Sequence, residues 1–241
     1  MSGEDASLAV PVVTLDGWSG SGKSTLARVL AEQLGWTYLD SGAWYRALAW
    51  AVLQNRSDPN DCEQVLATLF RIRLDAQASG SVTVDGHAPA AALRTPAMDR
   101  AVTQVADHLP VRAELNARMR AVAHRAARGL VADGRDAGSV IFPEAQLKVF
   151  VDASLEERAR RRAAQRGADL LSIRAEIAER DRRDGARGAS APQSVQADCV
   201  LQNETLTVEE AVGRLLAWIQ AHGLAPAAPG GPTAPPGATQ N

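Results

Sequence analysis

Residues 17–25 read Gly17-Trp18-Ser19-Gly20-Ser21-Gly22-Lys23-Ser24-Thr25 and fit the phosphate-loop pattern G-x-x-x-x-G-K-[ST]. An apolar run, Val10 to Leu15, predicts a buried strand just before this stretch, and a helical pattern ending at Leu34 follows it. Glycines let such a loop turn its N–H groups toward an anion, and the dipole of the following helix adds to the attraction. A strand, a glycine-rich loop and a helix in this order predict a site for the phosphates of a nucleotide.

Two side chains of this loop have predicted roles in binding. We expect Lys23 to reach the β- and γ-phosphates, and the Ser24 hydroxyl to ligate Mg²⁺. Thr25 offers a second hydroxyl next to it, so the sequence does not separate the two as magnesium ligands. The alternative is a glycine-rich turn that binds nothing, and the strand and helix on either side argue against it.

The composition is typical of a soluble globular protein. The 241 residues are 46% hydrophobic and 22% charged, with a net charge of −2. This balance allows one substantial core and gives no electrostatic reason to expect a nucleic acid or a membrane as partner. No signal peptide and no membrane-spanning run is recognisable. We therefore expect a cytoplasmic protein, by default a monomer, with Cys62 and Cys199 as separate thiols.

Strand and helix patterns alternate along the chain, which predicts an α/β fold with a doubly wound parallel sheet flanked by helices. The predicted strands after the first are Trp36–Leu39, Arg71–Ala76, Val82–Val84, Leu130–Asp133 and Gln146–Val151. The predicted helices after the first are Ala43–Gln54, a short one after Asp61, a long one from Pro110 to Arg128, and two opened by capping boxes at 154–157 and 207–210.

These elements predict one main domain, residues 10–223, between a flexible N-terminus (1–9) and a disordered Ala/Pro/Gly-rich tail (224–241). Residues 61–96 interrupt the alternation and predict an inserted subdomain. Residues 155–187 predict an arginine-rich helical region.

Two polar clusters follow predicted strands, at the edge of the sheet where open α/β folds bind ligands. Residues 40–46 follow the second strand, and residues 133–138 follow a later one. The first has groups that suit a second anion near the phosphate loop, and the second has two carboxylates on either side of an arginine, which is unusual in a plain connection. The alternatives are a helix start capped by Asp40 or Ser41, and a tight turn with a local ion pair. Asp133 is also a candidate acid beside Mg²⁺.

Ten arginines lie between residues 158 and 187, at positions 158, 160, 161, 162, 166, 174, 180, 182, 183 and 187. Phosphoryl transfer needs positive groups around the moving phosphate, and an arginine-bearing segment that closes over it also excludes water. The alternative is a solvated helix pair whose arginines bind neighbouring glutamates. We expect a few of the ten to form a lid over the phosphates.

Several motifs in order resemble the bacterial cytidylate kinase family of nucleoside monophosphate kinases, from about Val12 to about Ile219. The motifs that carry the resemblance are the phosphate loop, Asp40-Ser41-Gly42-Ala43-x-Tyr45-Arg46, Leu93-Arg94-Thr95-Pro96, Thr103-Gln104-Val105-Ala106, Val111-Arg112, Asp133-Gly134-Arg135-Asp136-x-Gly138-x-Val140-x-Phe142-Pro143, and Glu179-Arg180-Asp181-x-Arg183-Asp184-x-x-Arg187.

The resemblance implies an enzyme that phosphorylates CMP, and also dCMP, with ATP and Mg²⁺. It further implies that 61–96 is a CMP-binding insert and 155–187 a lid. The implied substrate residues are Ser41, Arg46 and Arg135 for the monophosphate, Thr103, Arg112 and Asp136 for the cytosine edge, and Asp184 and Arg187 for the ribose 2′-hydroxyl. The implied catalytic residues are Lys23, Arg135, Arg161, Arg180 and Arg183.

The sequence departs from the family pattern at three places. Trp18 stands where relatives usually have Pro, and Ser24 where many have Gly. Residues 202–205, Gln-Asn-Glu-Thr, replace a segment that usually begins Asp-Ser/Thr, which concerns how the adenine end of ATP is held.

Two other functions are compatible with a phosphate loop. One is a kinase for a different small acceptor, and the other is a nucleotide-binding switch that transfers nothing. A donor and an acceptor paired at Arg112 and Asp136 suit the edge of cytosine. A second anion site argues against the switch, which needs only one nucleotide.

Overall fold

The structure is a computed structural model that describes residues 8, 10–77, 79–89, 95–192 and 195–224. Within these ranges the strands are β1 (Val12–Asp16), β2 (Thr37–Asp40), β3 (Leu74–Ala76), β4 (Val82–Val84), β5 (Leu130–Gly134), β6 (Leu147–Asp152) and β7 (Cys199–Gln202). The α-helices there are α1 (Lys23–Leu34), α2 (Ser41–Gln54), α3 (Cys62–Arg71), α4 (Pro96–Asp107), α5 (Leu109–Arg125), α6 (Leu155–Arg166), α7 (Leu170–Gly185) and α8 (Val208–Ala221).

The main sheet of the described chain has five parallel strands in the order β2-β5-β1-β6-β7. Its central strand is buried along its whole length, as the apolar run before the phosphate loop predicted. Helices cover both faces, with α1 and α8 in one hydrophobic cluster and α2, α4 and α5 in the other. The predicted α/β fold with a parallel sheet flanked by helices is confirmed.

Register brings the carboxyl ends of three strands to one level. Asp16, at the end of β1, pairs with Gly134 of β5. Asp40, at the end of β2, pairs with Asp133 of β5. The loops that leave these strands therefore start side by side at one edge of the sheet, which is where both predicted polar clusters begin.

Helix α1 shows how local sequence sets its ends. It begins after Gly22, which has the positive φ of 94°, and ends at Gly35, which caps it at φ 63°. Leu26, Leu30 and Leu34 lie on its buried face, and burial of each such side chain contributes roughly 1.5–3 kcal/mol. The strand–loop–helix unit is thus fixed by residues within one stretch of chain.

The two predicted capping boxes have different outcomes. At α8, Thr207 accepts from the Glu210 N–H and the Glu210 carboxylate accepts from the Thr207 N–H, so the complete box is confirmed. At α6, Ser154 accepts from the Glu157 N–H at 3.2 Å, but its own N–H donates to Glu204 at 2.9 Å. Only half of that box forms, because neighbouring arginines occupy the Glu157 carboxylate.

The stretch 61–96 contains α3 and an antiparallel pair, β3 and β4, outside the main sheet. The short helix and the strand pair are as predicted, except that Arg71 closes α3 instead of opening β3. Val82 and Val84 pack into the hydrophobic cluster beneath α2. The motif residues Leu93 and Arg94 lie outside the described part of the chain.

Helix α4 was not predicted. Pro96 is its first residue, and the Thr95 hydroxyl caps it by accepting from the Met98 N–H at 3.2 Å. The helix predicted from Pro110 to Arg128 begins one residue earlier, at Leu109. It also ends earlier, at Arg125, because the backbone of Ala126 is already extended. The Thr-Pro pair was the missed signal, since proline favours the first turn of a helix.

Helices α6 and α7 pack on each other through a small apolar cluster of their own: Ala159, Ala163, Ile173 and Ile177. They account for most of the 155–187 stretch. In the described residues, no helix is long and apolar enough to cross a membrane. The predictions for the chain ends, 1–9 and 224–241, concern residues that lie outside the described part except for Leu8 and Leu224.

Candidate active site

A cavity of about 800 Å³ lies at the carboxyl edge of β1, β2 and β5, with α6 and α7 opposite. Its lining includes most of the phosphate loop, both polar clusters and part of the arginine-rich region. The predicted site residues in the lining are Ser19, Gly20, Gly22, Lys23, Ser24, Thr25, Ser41, Arg46, Arg112, Arg135, Asp136, Arg161, Arg180, Asp184 and Arg187.

The phosphate loop packs tightly on the end of the sheet. A Cβ at Gly17 would lie 2.3 Å from the Val151 carbonyl oxygen, so only glycine fits there. Lys23 is buried and its Nζ donates to the Trp18 carbonyl at 3.2 Å. Burial, reinforced by the positive charge of Arg135, holds the Lys23 pKa well below its usual range. Bound phosphates would offset that loss of solvation, so this lysine is placed to gain from an anion.

Asp133 forms an oxygen-rich corner next to the loop. The Ser24 hydroxyl donates to its Oδ2, and the Tyr38 hydroxyl donates to its Oδ1 at 2.9 Å. Burial raises the Asp133 pKa, and the negative charge of Asp40 adds to the rise. Thr25 lines the same cavity. Hydroxyl and carboxylate oxygens are the ligands that Mg²⁺ prefers, so this corner fits that ion.

The cluster after β2 serves as a helix cap and as part of the cavity wall. Asp40 caps α2 by accepting from the Ala43 N–H at 2.9 Å, and it lies 3.5 Å from Arg46. Arg46 nevertheless lines the cavity, as does Ser41. Asp40 is therefore a helix cap, as the alternative interpretation expected. Arg46 lines the cavity and is not simply a solvated residue of the helix face.

Asp184 gathers two of the predicted substrate residues. It is buried, and its two oxygens accept from Arg135 Nε at 3.0 Å and from Arg187 Nη1 at 2.7 Å. Each guanidinium keeps further donors available for an anion. The carboxylate thus holds two positive charges at the cavity wall, one from Arg187 in the next turn of chain and one from Arg135, 49 positions away in sequence.

Arg112 and Asp136 form a buried ion pair in the cavity wall. Arg112 also donates to the Ala106 carbonyl at 3.2 Å, and its guanidinium lies 5.5 Å from the centre of the Tyr45 ring. Thr103 is not brought to this lining: its hydroxyl donates to the Asp99 carbonyl at 3.0 Å within α4. Of the three residues implied for the cytosine edge, two therefore face the cavity together.

The ten arginines at positions 158–187 divide into those that line the cavity and those that do not. Those that line the cavity are Arg161, Arg162, Arg166, Arg180 and Arg187. Burial and the neighbouring charge of Arg135 lower the Arg180 pKa to about 10. Some arginines of this region thus line the cavity and others bind neighbouring glutamates, while the lid stays a prediction.

Arg183 belongs to the second group, contrary to the place predicted for it over the phosphates. Its side chain is 49% exposed, and its Nε donates to Glu179 at 2.7 Å, one helical turn away. Arg158 is also structural: it is buried and donates to the Ser19 carbonyl at 3.0 Å and to Asp181 at 2.6 Å. The first bond attaches α6 to the phosphate loop, and the second attaches it to α7.

Arg162 is a cavity residue that was not singled out from the sequence. Its Nε is buried with no hydrogen-bond partner among the described residues, and burial lowers its pKa. It lies in a run of three arginines, and only its helical position distinguishes it from Arg160, which is exposed and bound to Glu157. Three consecutive arginines are chemically identical, so the sequence did not show which of them faces the cavity.

Asp16 was also missed. It ends β1 and is buried, and its two oxygens accept from the Ala137 and Gly138 N–H groups at 2.8 and 2.7 Å. Burial raises its pKa to about 6. A single aspartate at the end of a strand carries no sequence signal for this contact, which joins the phosphate loop to the loop that carries Arg135 and Asp136.

A second cavity of about 370 Å³ adjoins the other side of the phosphate loop. Its lining combines loop residues, α6 residues and the segment after β7: Gly22, Thr25, Leu26, Glu157, Arg160, Arg161, Asn203, Glu204, Thr205, Leu206 and Val208. Arg161 Nη2 donates to the carbonyls of Asn203 and Glu204 at 2.7 and 2.9 Å. Arg161 therefore borders both cavities.

Comparison with protein families gives a match over nearly the whole chain. A family model described as "Cytidylate kinase" matches residues 13–221. A cytidylate kinase from Stutzerimonas stutzeri is 44% identical over 227 residues, which is 90% of this chain and 98% of that protein. A cytidylate kinase from Nitrosococcus oceani is 42% identical, covering 87% of this chain and 96% of that protein.

Some relatives are much longer. A bifunctional pantoate ligase/cytidylate kinase from Prochlorococcus marinus MIT 9313 is 40% identical over 86% of this chain, and the chain spans only 42% of that protein. Among solved structures, an uncharacterized protein from Eubacterium ventriosum matches 88% of this chain and 99% of its own length, with a TM-score of 0.50 and 13% identity. At that identity the likeness concerns the fold alone.

Proposed function

Because the chain belongs to the cytidylate kinase family, we propose that it transfers the γ-phosphoryl group of ATP to CMP, and to dCMP, giving CDP or dCDP in pyrimidine nucleotide metabolism. The observation that carries the proposal is the cavity itself. A phosphate loop with Lys23 borders it on one side, and Arg46, Arg135 and the Arg112–Asp136 pair border it on another. Two phosphorylated molecules can meet there.

The donor phosphates suit the phosphate loop. Glycine N–H groups and the N-terminus of α1 attract anions. Lys23 adds a positive charge that is poorly solvated because the side chain is buried. The adjoining cavity, bordered by Arg161 and Leu206, suits the base of the donor nucleotide. Ser24, with Thr25 as the alternative hydroxyl, would hold Mg²⁺ beside Asp133. When bound, that ion supplies charge neutralisation on the phosphates.

The acceptor suits the opposite wall. Ser41, Arg46 and Arg135 offer a hydroxyl and two guanidinium groups to the monophosphate of CMP. Arg112 and Asp136 present a donor and an acceptor to the cytosine edge. Asp184 keeps acceptor capacity for a ribose hydroxyl after binding Arg135 and Arg187.

Transfer then needs positioning more than acid–base chemistry. A phosphate oxygen of CMP forms a bond to the γ-phosphorus while the bond from that phosphorus to the bridging oxygen of ADP breaks. The second pKa of the CMP phosphate is about 6, so the phosphate is mostly a dianion at neutral pH and no general base is required. Lys23, Arg135 and Arg180 are proposed to neutralise the charge on the transferring group, with Arg161 and Arg162 beside them.

A coupled assay of ADP release tests the proposal with a panel of CMP, dCMP, UMP, AMP, GMP and dTMP. We expect CMP to be phosphorylated with a far higher kcat/KM than the purine nucleotides, because hydrogen-bonding sites strongly reject bases that leave them unpaired. Comparable rates for all would contradict the cytosine assignment. ADP release that does not depend on any monophosphate would indicate a nucleotide switch instead.

We also propose that the protein works as a cytoplasmic monomer without a nucleic-acid partner. The near-neutral charge of −2 supports this, since nucleic-acid binders carry a marked positive excess. Light scattering coupled to gel filtration tests the oligomeric state, and a mass twice that of the chain would contradict it.

A further inference from the structure

Asn203 lies in the segment after β7 that distinguishes this sequence from its family pattern. The residue is only 5% exposed. Its backbone N–H donates to the Asp152 carbonyl at 2.8 Å, which fixes it at the end of the main sheet. Its side-chain Nδ2 donates to the Ser21 carbonyl oxygen at 2.7 Å. A buried amide thus connects the last strand to the phosphate loop.

This bond orients a peptide group of the loop. The Ser21 carbonyl and the Gly22 N–H belong to the same trans peptide, so they point in opposite directions. When the amide of Asn203 holds the carbonyl on one side, the Gly22 N–H turns to the other. Gly22 lines the main cavity and has φ 94°, a conformation that favours glycine.

Steric contact supports the same arrangement. A Cβ added to Gly22 would lie 2.6 Å from Asn203 Nδ2 and 3.7 Å from Arg161 Nη1. The loop, the amide and the guanidinium are therefore in close contact at one point. Any residue other than glycine at position 22 would push the amide away from the Ser21 carbonyl.

The backbone of the same segment holds the arginine. Arg161 Nη2 donates to the carbonyls of Asn203 and Glu204. The Glu204 carboxylate in turn accepts from the Ser154 N–H at the start of α6. The segment therefore contacts the phosphate loop, the beginning of α6 and a side chain that borders both cavities.

We infer that Asn203 is a positioning residue for the donor nucleotide, acting through the Ser21–Gly22 peptide. Its amide sets the direction of the Gly22 N–H that meets the donor phosphates, and its carbonyl keeps Arg161 beside the same loop. The inference rests on the proposed function and deepens its donor site. The departure at 202–205 thus includes an amide donor that supports the loop in this chain.

Two variants of Asn203 separate the role of the amide from simple packing. Asn203→Asp keeps the shape but places a carboxylate oxygen against the Ser21 carbonyl, whereas Asn203→Ala removes the contact. Titration calorimetry measures the dissociation constants for ATP and for CMP separately, without turnover. We expect ATP binding to weaken about 5-fold in Asn203→Ala and by more in Asn203→Asp, since a carbonyl facing an acceptor is worse than one left alone.

Val200→Ala is the control, because Val200 is an exposed residue of the same strand, β7, and lies outside the 202–205 segment. It should bind ATP like the parent protein, and CMP binding should be unchanged in all three variants. Parental ATP affinity in Asn203→Asp would overturn the inference. An equal loss of ATP and CMP binding, together with a lower melting temperature, would reduce Asn203 to a structural residue and overturn it too.

If Asn203→Ala does not fold, Asn203→Asp still decides, because it changes no volume. The proposed function is judged separately. A parent protein that binds ATP but never phosphorylates CMP would refute the kinase proposal, while the effect of Asn203→Asp on ATP binding would still test the donor-site inference.

Discussion

The two sides of the main cavity are built in opposite ways. The side proposed for the donor, called the donor side, comes from nine consecutive residues, 17–25, at the junction of β1 and α1. The side proposed for the acceptor, called the acceptor side, combines Arg46 of α2, Arg112 of α5, Arg135 after β5 and Asp184 of α7. The first side is local in sequence, and the second depends on the tertiary fold. A substitution on the donor side should therefore remove most of the activity, whereas each substitution on the acceptor side should remove only part of it.

Lys23→Ala tests the donor side and should have the largest effect. Removing the buried ammonium leaves the charge on the transferring phosphoryl group uncompensated, and we expect kcat to fall by about 10³-fold or more. Lys148→Ala is the matched control, since Lys148 is the only other lysine and its Nζ donates to the Pro143 carbonyl instead. Steady-state kinetics and a melting curve check both variants.

Near-normal turnover in Lys23→Ala would show that the loop does not act on the transferring group. It would also remove the main reason for treating the two sides as unequal.

Arg46→Ala tests the acceptor side and should cost less. It removes one charge-assisted hydrogen bond, worth about 1.5–3 kcal/mol, or roughly 10- to 150-fold in kcat/KM for CMP. The KM for ATP should stay near the parental value, because Arg46 lies on the other wall. Arg46→Lys keeps the charge without the planar fork and should restore activity only in part. A variant with parental kcat/KM would mean that Arg46 is a surface residue.

Arg162→Ala and Arg183→Ala together test which arginines belong to the cavity. Arg162 lines it and has a buried Nε without a partner among the described residues, so we expect its loss to lower kcat about 10- to 30-fold. Arg183 is half exposed and bound to Glu179, so its loss should change kcat less than about 2-fold. The reverse order would mean that the α6–α7 pair rearranges before transfer and brings Arg183 inward.

What the sequence could predict follows the same division. The phosphate loop, the parallel sheet and both ends of α1 depend on neighbouring residues, and the pattern was enough to predict them. Arg162 was not singled out, and Arg183 was expected over the phosphates, because a run of arginines on a helix does not show which face meets the cavity. Asp16 was missed because its partners lie more than 120 positions away. Residue roles on the acceptor side remain predictions.

Asp16 tests the link between the two sides, with a smaller expected effect than Lys23, Arg46 or Arg162. Its carboxylate holds the Ala137 and Gly138 N–H groups, and its pKa, raised to about 6 by burial, is also influenced by nearby Asp136 and Lys23. Because the folded-state pKa lies above the unfolded value, the stability that Asp16 contributes is greatest at low pH and is lost as pH rises through about 6. Asp16→Asn cannot ionise, so its stability relative to the parent should improve with rising pH.

The activity of Asp16→Asn relative to the parent should fall as pH rises, which is opposite to the change in its relative stability. Only the ionised carboxylate accepts from both N–H groups, so the parent should exceed Asp16→Asn in kcat/KM for CMP by about 5-fold near pH 8 and match it near pH 5. Taking the ratio of the two proteins cancels the titration of CMP itself, which ionises in the same range. A ratio that does not vary with pH would show that Asp16 fixes the fold but does not couple the phosphate loop to the loop of Arg135 and Asp136. The two sides would then be independent, joined only by the sheet beneath them.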